Sequence, residues 1–170
     1  INANFKVEQG LVQKDYVFWK YNNFKEWVLT PPKISYRYNN ERIKYEKSWW
    51  FRTLSHPEIT YFQKLFYPNG KKIIPSDITD FFKEPISLAV WYMDDGYYNK
   101  VDRNSYIYLG RVTRIEAEIL QQAIAKNFNI SATVYDKKNK GFALFFGAME
   151  TKVLQALIGP FIIPSLQYKI

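Results

Sequence analysis

The feature that most narrows how this chain can fold is an internal repeat, offset by about a hundred residues. In the first copy PPKISYRY passes through the basic turn NNERIKYEK to SWWFRTL, then to the amphipathic stretch HPEITYFQKLF, and ends at KKIIP. In the second copy ISATVYD passes through KKNK to GFALFFG, then to a helical stretch from Met149 to Ile158, and ends at FIIP. Ile73-Ile74-Pro75 answers Ile162-Ile163-Pro164. Upstream, Gly10 and Val12 answer Gly110 and Val112, each ahead of a helical segment, Gln13 to Val28 in one copy and Thr113 to Phe128 in the other. Each copy therefore has the order strand, helix, hairpin, helix. Such an order predicts an α+β protein of two like units, residues 1–84 and 85–170, each packing helices on an antiparallel sheet.

Only the second copy carries a front piece, a helix from Ile86 to Asp95 and then Tyr97 to Arg103 with a turn before Tyr106 to Leu109. The repeat register puts Ile1 just past the matching point, so the first unit is expected to lack its opening helix and first strand. The front piece begins PISLAVWYMDDG. Pro85 suits a first helical turn, Pro85, Ala89 and Met93 stack as an apolar seam expected to be an interface for a second helix, with simple core packing as the alternative, and Gly96 supplies a stop. Asp94 and Asp95 then fall at the C-terminal end, where the helix dipole is already negative. A divalent cation on the carboxylate oxygens would compensate, and so would a neighbouring lysine or arginine. The plain alternative is a solvated turn closing an ordinary core helix.

Charge and composition bound the chemistry. A net charge of +8 and a pI near 9.4 point to a polyanionic partner, though a merely basic surface gives the same figures. With 47% hydrophobic and 19% aromatic residues the chain is expected to fold as a soluble protein, and no apolar run approaches the ~20 residues of a membrane span. There is no cysteine for a disulfide or thiolate zinc site, and His56 is the one histidine. Hydrolysis by this chain must rest on carboxylates. His56, just before Pro57, suits a helix start.

LAVWYMDDG aligns without gaps with the nine-residue signature of the LAGLIDADG homing endonucleases and their maturase relatives, and resembles the branch with a WxMDDG ending. Leu88, Ala89, Asp95 and Gly96 agree with the signature, while Val90 replaces a glycine and Met93 the first acid. NANFKVEQG, FRTLSHPEIT, LFYPNGKKIIP and PFIIPSLQYKI are similar to that branch too, so the resemblance covers nearly the whole chain. It implies two pseudo-symmetric αββαββα-type units whose strands form a saddle over a nucleic-acid duplex. It further implies that Asp95 binds magnesium, and that a second motif helix, on a separate polypeptide or a missing N-terminal segment, brings the second acid of a paired site. Gln9, Gln13, Lys72 and Lys169 resemble polar and basic residues around the family's active centre. Of these Gln13, Lys72 and Lys169 are catalytic candidates beside Asp95, with ordinary surface lysines as the alternative.

Binding residues follow from strand alternation. Lys33, Ser35 and Arg37 share one face, with Ile34, Tyr36 and Tyr38 expected to pack behind them. Asn99, Lys100, Arg103 and Asn104 lie at the second hairpin, with Arg111 beyond it. Arg, Lys, Asn and Gln are the side chains that read base edges and hold phosphates, and with Gln9 these make the candidate nucleic-acid surface. Two functions from different classes stay open: a magnesium-dependent, site-specific DNA endonuclease, and a non-cleaving RNA-binding maturase or organellar ribonucleoprotein subunit. Richness in Tyr, Phe, Asn, Lys and Ile hints at an AT-rich organelle genome, mitochondrial or chloroplast.

Overall fold

The computed structural model describes residues 2–170, which divide into two compact units at Leu65 and Phe66. In the first unit β1 (Lys6–Gly10) leads through a 3-10 turn into α1 (Lys14–Asn23), followed by the hairpin β2 (Lys33–Asn39) and β3 (Lys44–Arg52) and by α2 (Pro57–Phe66). Its sheet has the order β1-β3-β2, all antiparallel. Val7, Val17, Val28 and Phe51 form the core between α1 and the sheet, with Tyr21, Phe24 and Trp49 against them. As expected, His56 Nδ1 accepts a hydrogen bond from the Glu58 N–H at 3.3 Å, at the start of α2.

The second unit opens with the short α3 (Ile78–Phe81) and then α4 (Pro85–Asp95), β4 (Gly96–Asn99), β5 (Asn104–Gly110), α5 (Arg114–Phe128), β6 (Thr133–Asp136), β7 (Phe142–Phe146) and α6 (Ala148–Ile158). Two 3-10 segments, Gly159–Phe161 and Pro164–Lys169, complete it. The sheet order is β4-β5-β7-β6. Without β4 this is the order of the first unit, with β5, β7 and β6 in the places of β1, β3 and β2. The strand, helix, hairpin, helix order thus holds in both units, and α4 and β4 have no counterpart among the described residues of the first.

Local sequence explains where the helices start. Thr113 and Glu116 form a capping box on α5, and Asn129 ends it in the left-handed conformation. Pro85 occupies the first turn of α4. Gly96 stops α4, but in an extended conformation: a Cβ there would lie 2.3 Å from the Tyr92 carbonyl oxygen and 2.6 Å from its ring. Only glycine lets the strand leave the helix so closely. Gly141, at φ +81, likewise passes so near Gly110 that a Cβ would meet its carbonyl oxygen at 1.8 Å.

Two expectations are corrected. Ala89 and Met93 are fully buried, with α4 packed on α6, β5 and the 3-10 turn at Gly159, while Pro85 is half-buried, so the Ala89-Met93 part of the seam is interior rather than open to a second helix. The half-buried stripe of α4 is the adjoining one, Ile86, Ser87, Val90 and Trp91. The unit boundary lies at 65/66 rather than 84/85, because the linker is tied into the second unit. Asn127 donates to the carbonyls of Thr79 and Phe82 at 2.8 and 2.7 Å, and α3 packs on α5. No helix among the described residues is long and apolar enough to cross a membrane.

Candidate functional site

The acidic end of α4 carries no basic residue in its own last turn. The compensating charge comes from the other end of the unit. Lys169 Nζ donates to the Met93 carbonyl at 2.7 Å and lies 3.4 Å from the Asp94 carbonyl, two acceptors left open by the helix end. In return the Tyr92 hydroxyl donates to the Lys169 carbonyl at 2.9 Å, and it also pairs with Ser105 at 3.2 Å. Burial pushes the Tyr92 hydroxyl up to about 12, so it stays a donor. Burial also lowers Lys169 from its ordinary value, against the pull of Asp94 and Asp95. Lys169, a catalytic candidate in the sequence, is thus one of the positive groups, beside a divalent cation, that could compensate the acidic helix end.

Asp95 is exposed and lines a hollow of about 200 Å³ together with Lys72, Trp91, Tyr108 and an apolar rim of Ile74, Ile78 and Leu120. The volume suits a few water molecules. Two sequence candidates 23 positions apart, Lys72 and Asp95, are therefore brought to one place. Gln13 is half-buried at the end of the 3-10 turn before α1, in the first unit. Among the described residues no three His, Cys, Asp or Glu form a ready metal cage. The donors at the end of α4 are nevertheless of the right kind for magnesium, which keeps several waters and takes one or two carboxylates plus oxygens of a phosphate substrate.

In the first unit the strand register separates two faces. Lys33, Ser35 and Arg37 share the outer face with Lys6, Glu8, Ser48, Trp50 and Arg52. Gln9 pairs with Trp49 and so points to the helix side, opposite the face of Lys33, Ser35 and Arg37. Ile34, Tyr36 and Tyr38 do lie opposite Lys33, Ser35 and Arg37, but they are 41%, 63% and 46% exposed rather than packed. The helical layer covers only the β1–β3 end of the sheet. On the outer face Glu8 accepts hydrogen bonds from Lys6 and Ser48, both at 2.5 Å, and stands 3.9 Å from Arg37. These partners, Lys6 first, hold its carboxyl below the usual range. Lys6 and Arg52 flank the Trp50 ring at 5.2 and 5.9 Å.

The second unit's hairpin uses one candidate structurally. Asn99 Oδ1 accepts from the Val101 and Asp102 N–H groups, and its amide donates to Asp102 at 2.7 Å, so this side chain builds the turn. Lys100, Arg103 and Arg111 are exposed, and the buried Oδ1 of Asn104 has no hydrogen-bond partner. Sequence reading missed the outer face of this sheet. Tyr106, Tyr108, Tyr135 and Phe145 gather there, and Lys137 Nζ lies 4.9, 5.1 and 5.6 Å from the rings of Tyr106, Tyr108 and Tyr135. The alternation of Tyr106 and Tyr108 was the available signal.

Residues 1–154 match the LAGLIDADG DNA endonuclease family. Over 174 residues the chain is 29% identical to the probable intron-encoded endonuclease 1 of Wickerhamomyces canadensis, covering 99% of this chain and 74% of that protein. It is 30% identical over 140 residues to the cytochrome b mRNA maturase bI2 of Debaryomyces hansenii, covering 82% of this chain and 52% of the maturase. The solved structure of the homing endonuclease I-WcaI bound to its DNA recognition sequence superposes with a TM-score of 0.86 at 26% identity, over 98% of this chain and 74% of that one. The α+β architecture is therefore the LAGLIDADG homing-endonuclease fold.

Proposed function

We propose, because the chain belongs to the LAGLIDADG DNA endonuclease family, that it is a site-specific endonuclease hydrolysing phosphodiester bonds in duplex DNA. The observation that carries this reading is the exposed Asp95 carboxylate, set at the end of α4 just before Gly96 and sharing a hollow with Lys72. Cleavage needs an activated water, a stabilised leaving oxygen and neutralised phosphate charge. Asp95 would hold magnesium, which when bound supplies Lewis-acid polarisation of the phosphate and a more acidic water. The Lys72 ammonium offsets phosphate charge at the hollow. Lys169, by fixing the last carbonyls of α4, holds the backbone from which Asp95 projects, and so acts as a positioning residue. Lys6, Lys33, Arg37 and Arg52 on one sheet, with Lys100, Arg103 and Arg111 on the other unit, supply phosphate and base-edge contacts.

A paired metal site needs a second acid. The repeat register supports its arrival on a motif helix from outside these residues, and the interior position of Ala89 and Met93 means that such a helix would use another face of α4. An intron-encoded role in a mitochondrion or chloroplast fits the names of the relatives and the residue usage. The identity to an mRNA maturase supports a second reading, RNA binding without cleavage. The experiment is incubation of the protein, alone and with any coding segment found upstream, with a plasmid pool carrying random inserts. Magnesium-dependent double-strand cuts at one enriched insert are expected, and EDTA should abolish them. A protein inert with every divalent ion on that pool, yet binding intron RNA, would leave only the second reading.

A further inference from the structure

We infer, on the endonuclease reading that brings duplex DNA to the outer face of the first unit's sheet, that Glu8 is a specificity-determining side chain of that face and reads a cytosine in the major groove. A carboxylate is costly on a surface that meets a polyanion, since it repels phosphate whatever the sequence. Glu8 is nevertheless held in place there. Its side chain is 25% exposed, the Lys6 ammonium donates to Oε2, the Ser48 hydroxyl donates to Oε1, and Arg37 stands 3.9 Å from Oε2. The register sets Glu8 opposite Trp50, on the face turned away from the α1 core of Val7 and Phe51. Glu46, the other acid on that face among the described residues, is bound instead to Arg42 at 3.0 Å, near the hairpin end of the strands.

The chemistry of base edges selects the partner. An ionised carboxylate only accepts hydrogen bonds, and with about four acceptor sites it keeps room for a base amino group beside Lys6 and Ser48. In the major groove the donors are cytosine N4 and adenine N6; guanine and thymine offer acceptors alone. Adenine sets its N7 acceptor beside N6, which a carboxylate would meet with like partial charge, whereas cytosine presents its amino group with no acceptor next to it. Cytosine therefore fits best. Its paired guanine shows O6 and N7, the acceptors that an arginine fork takes, so an acid beside Arg37 matches the donor and acceptor order across one C·G pair. Fixing the carboxylate on Lys6 and Ser48 before DNA arrives leaves less freedom to be lost on binding.

The test selects binding sites from a random duplex pool with the full chain in EDTA, so that no result depends on cleavage. Wild type is compared with Glu8→Gln and Glu8→Ala, thermal melting confirming that each is folded. Wild type should enrich cytosine at one position, where any other base costs about tenfold in affinity. Glu8→Ala should flatten that position to within about twofold, and Glu8→Gln, whose amide pairs with adenine N6 and N7, should turn it toward adenine. Preferences elsewhere in the site should hold, and both variants should bind random duplex more tightly than wild type, because a negative charge beside phosphate is gone. Preferences unchanged at every position, or weakened equally at all of them, would overturn the inference and leave Glu8 as a brace for Lys6 and Arg37. A wild-type chain that enriches no duplex sequence would overturn the inference and the endonuclease reading together.

Discussion

Glu116 shows how much one side chain can tie together. Its carboxylate accepts from the N–H of Thr113 at 2.7 Å and from the N–H of Ile74 at 2.9 Å, so the start of α5 and the Ile-Ile-Pro segment share one acceptor. Burial pushes the Glu116 carboxyl up, but these hydrogen bonds outweigh it and the group lies below its ordinary 4.5. A depressed carboxyl stabilises the fold above the unfolded value, and that contribution is lost as pH falls through the folded one. Glu116→Gln should therefore cost about 1–2 kcal/mol at about pH 6 and less at a pH below the folded-state titration. Urea midpoints of both proteins at the two pH values check this, and a constant gap would refute it. The Thr-x-x-Glu box was visible in the chain; the bond to Ile74, 42 residues away, was not. The same distance problem hid the role of Lys169. Its lysine type suggested a catalyst, while the Met93 carbonyl it caps lies 76 residues earlier. Lys169→Met should lower stability by about 1–2 kcal/mol through the uncapped carbonyls. A higher melting temperature would instead mean that relief from burying the ammonium dominates.

At the scale of elements, α4 was legible from its ends and illegible around its girth. Proline at the start and glycine at the stop gave its bounds, but LAVWYM is apolar all round, so periodicity could not choose which stripe faces inward. The structure puts Leu88, Ala89, Tyr92 and Met93 inside. The glycine stop also has a cause that spacing does not reveal, its contact with Tyr92. Gly96→Ala is expected to destabilise by at least about 2 kcal/mol, since the Tyr92 carbonyl and ring must both move. Thermal melting at wild-type levels would contradict that contact. In the strands, alternation was legible and pairing was not. Lys33, Ser35 and Arg37 do share a face, whereas the company they keep, and the tyrosine cluster of β5 and β6, depend on which strands lie side by side.

For the whole molecule, the repeat was the legible part, and it carried through to matching strand orders in the two units. The division at 65/66 was hidden, because the contacts that bind residues 66–84 to α5 are long-range. The net charge of +8 makes DNA affinity a salt-dependent quantity. Arg37→Ala and Lys33→Ala should each weaken duplex binding and reduce the slope of log affinity against log salt by about one. Slopes unchanged by both substitutions would remove that sheet face from the DNA surface. Whether Asp95 is a metal-holding carboxylate of a DNA endonuclease is decided by cleavage and binding of the selected target with wild-type and Asp95→Asn protein in magnesium. The substitution should abolish cleavage while affinity stays equal or rises, because a ligand oxygen and a negative charge beside phosphate are lost together. Cleavage by Asp95→Asn at the wild-type rate would contradict it.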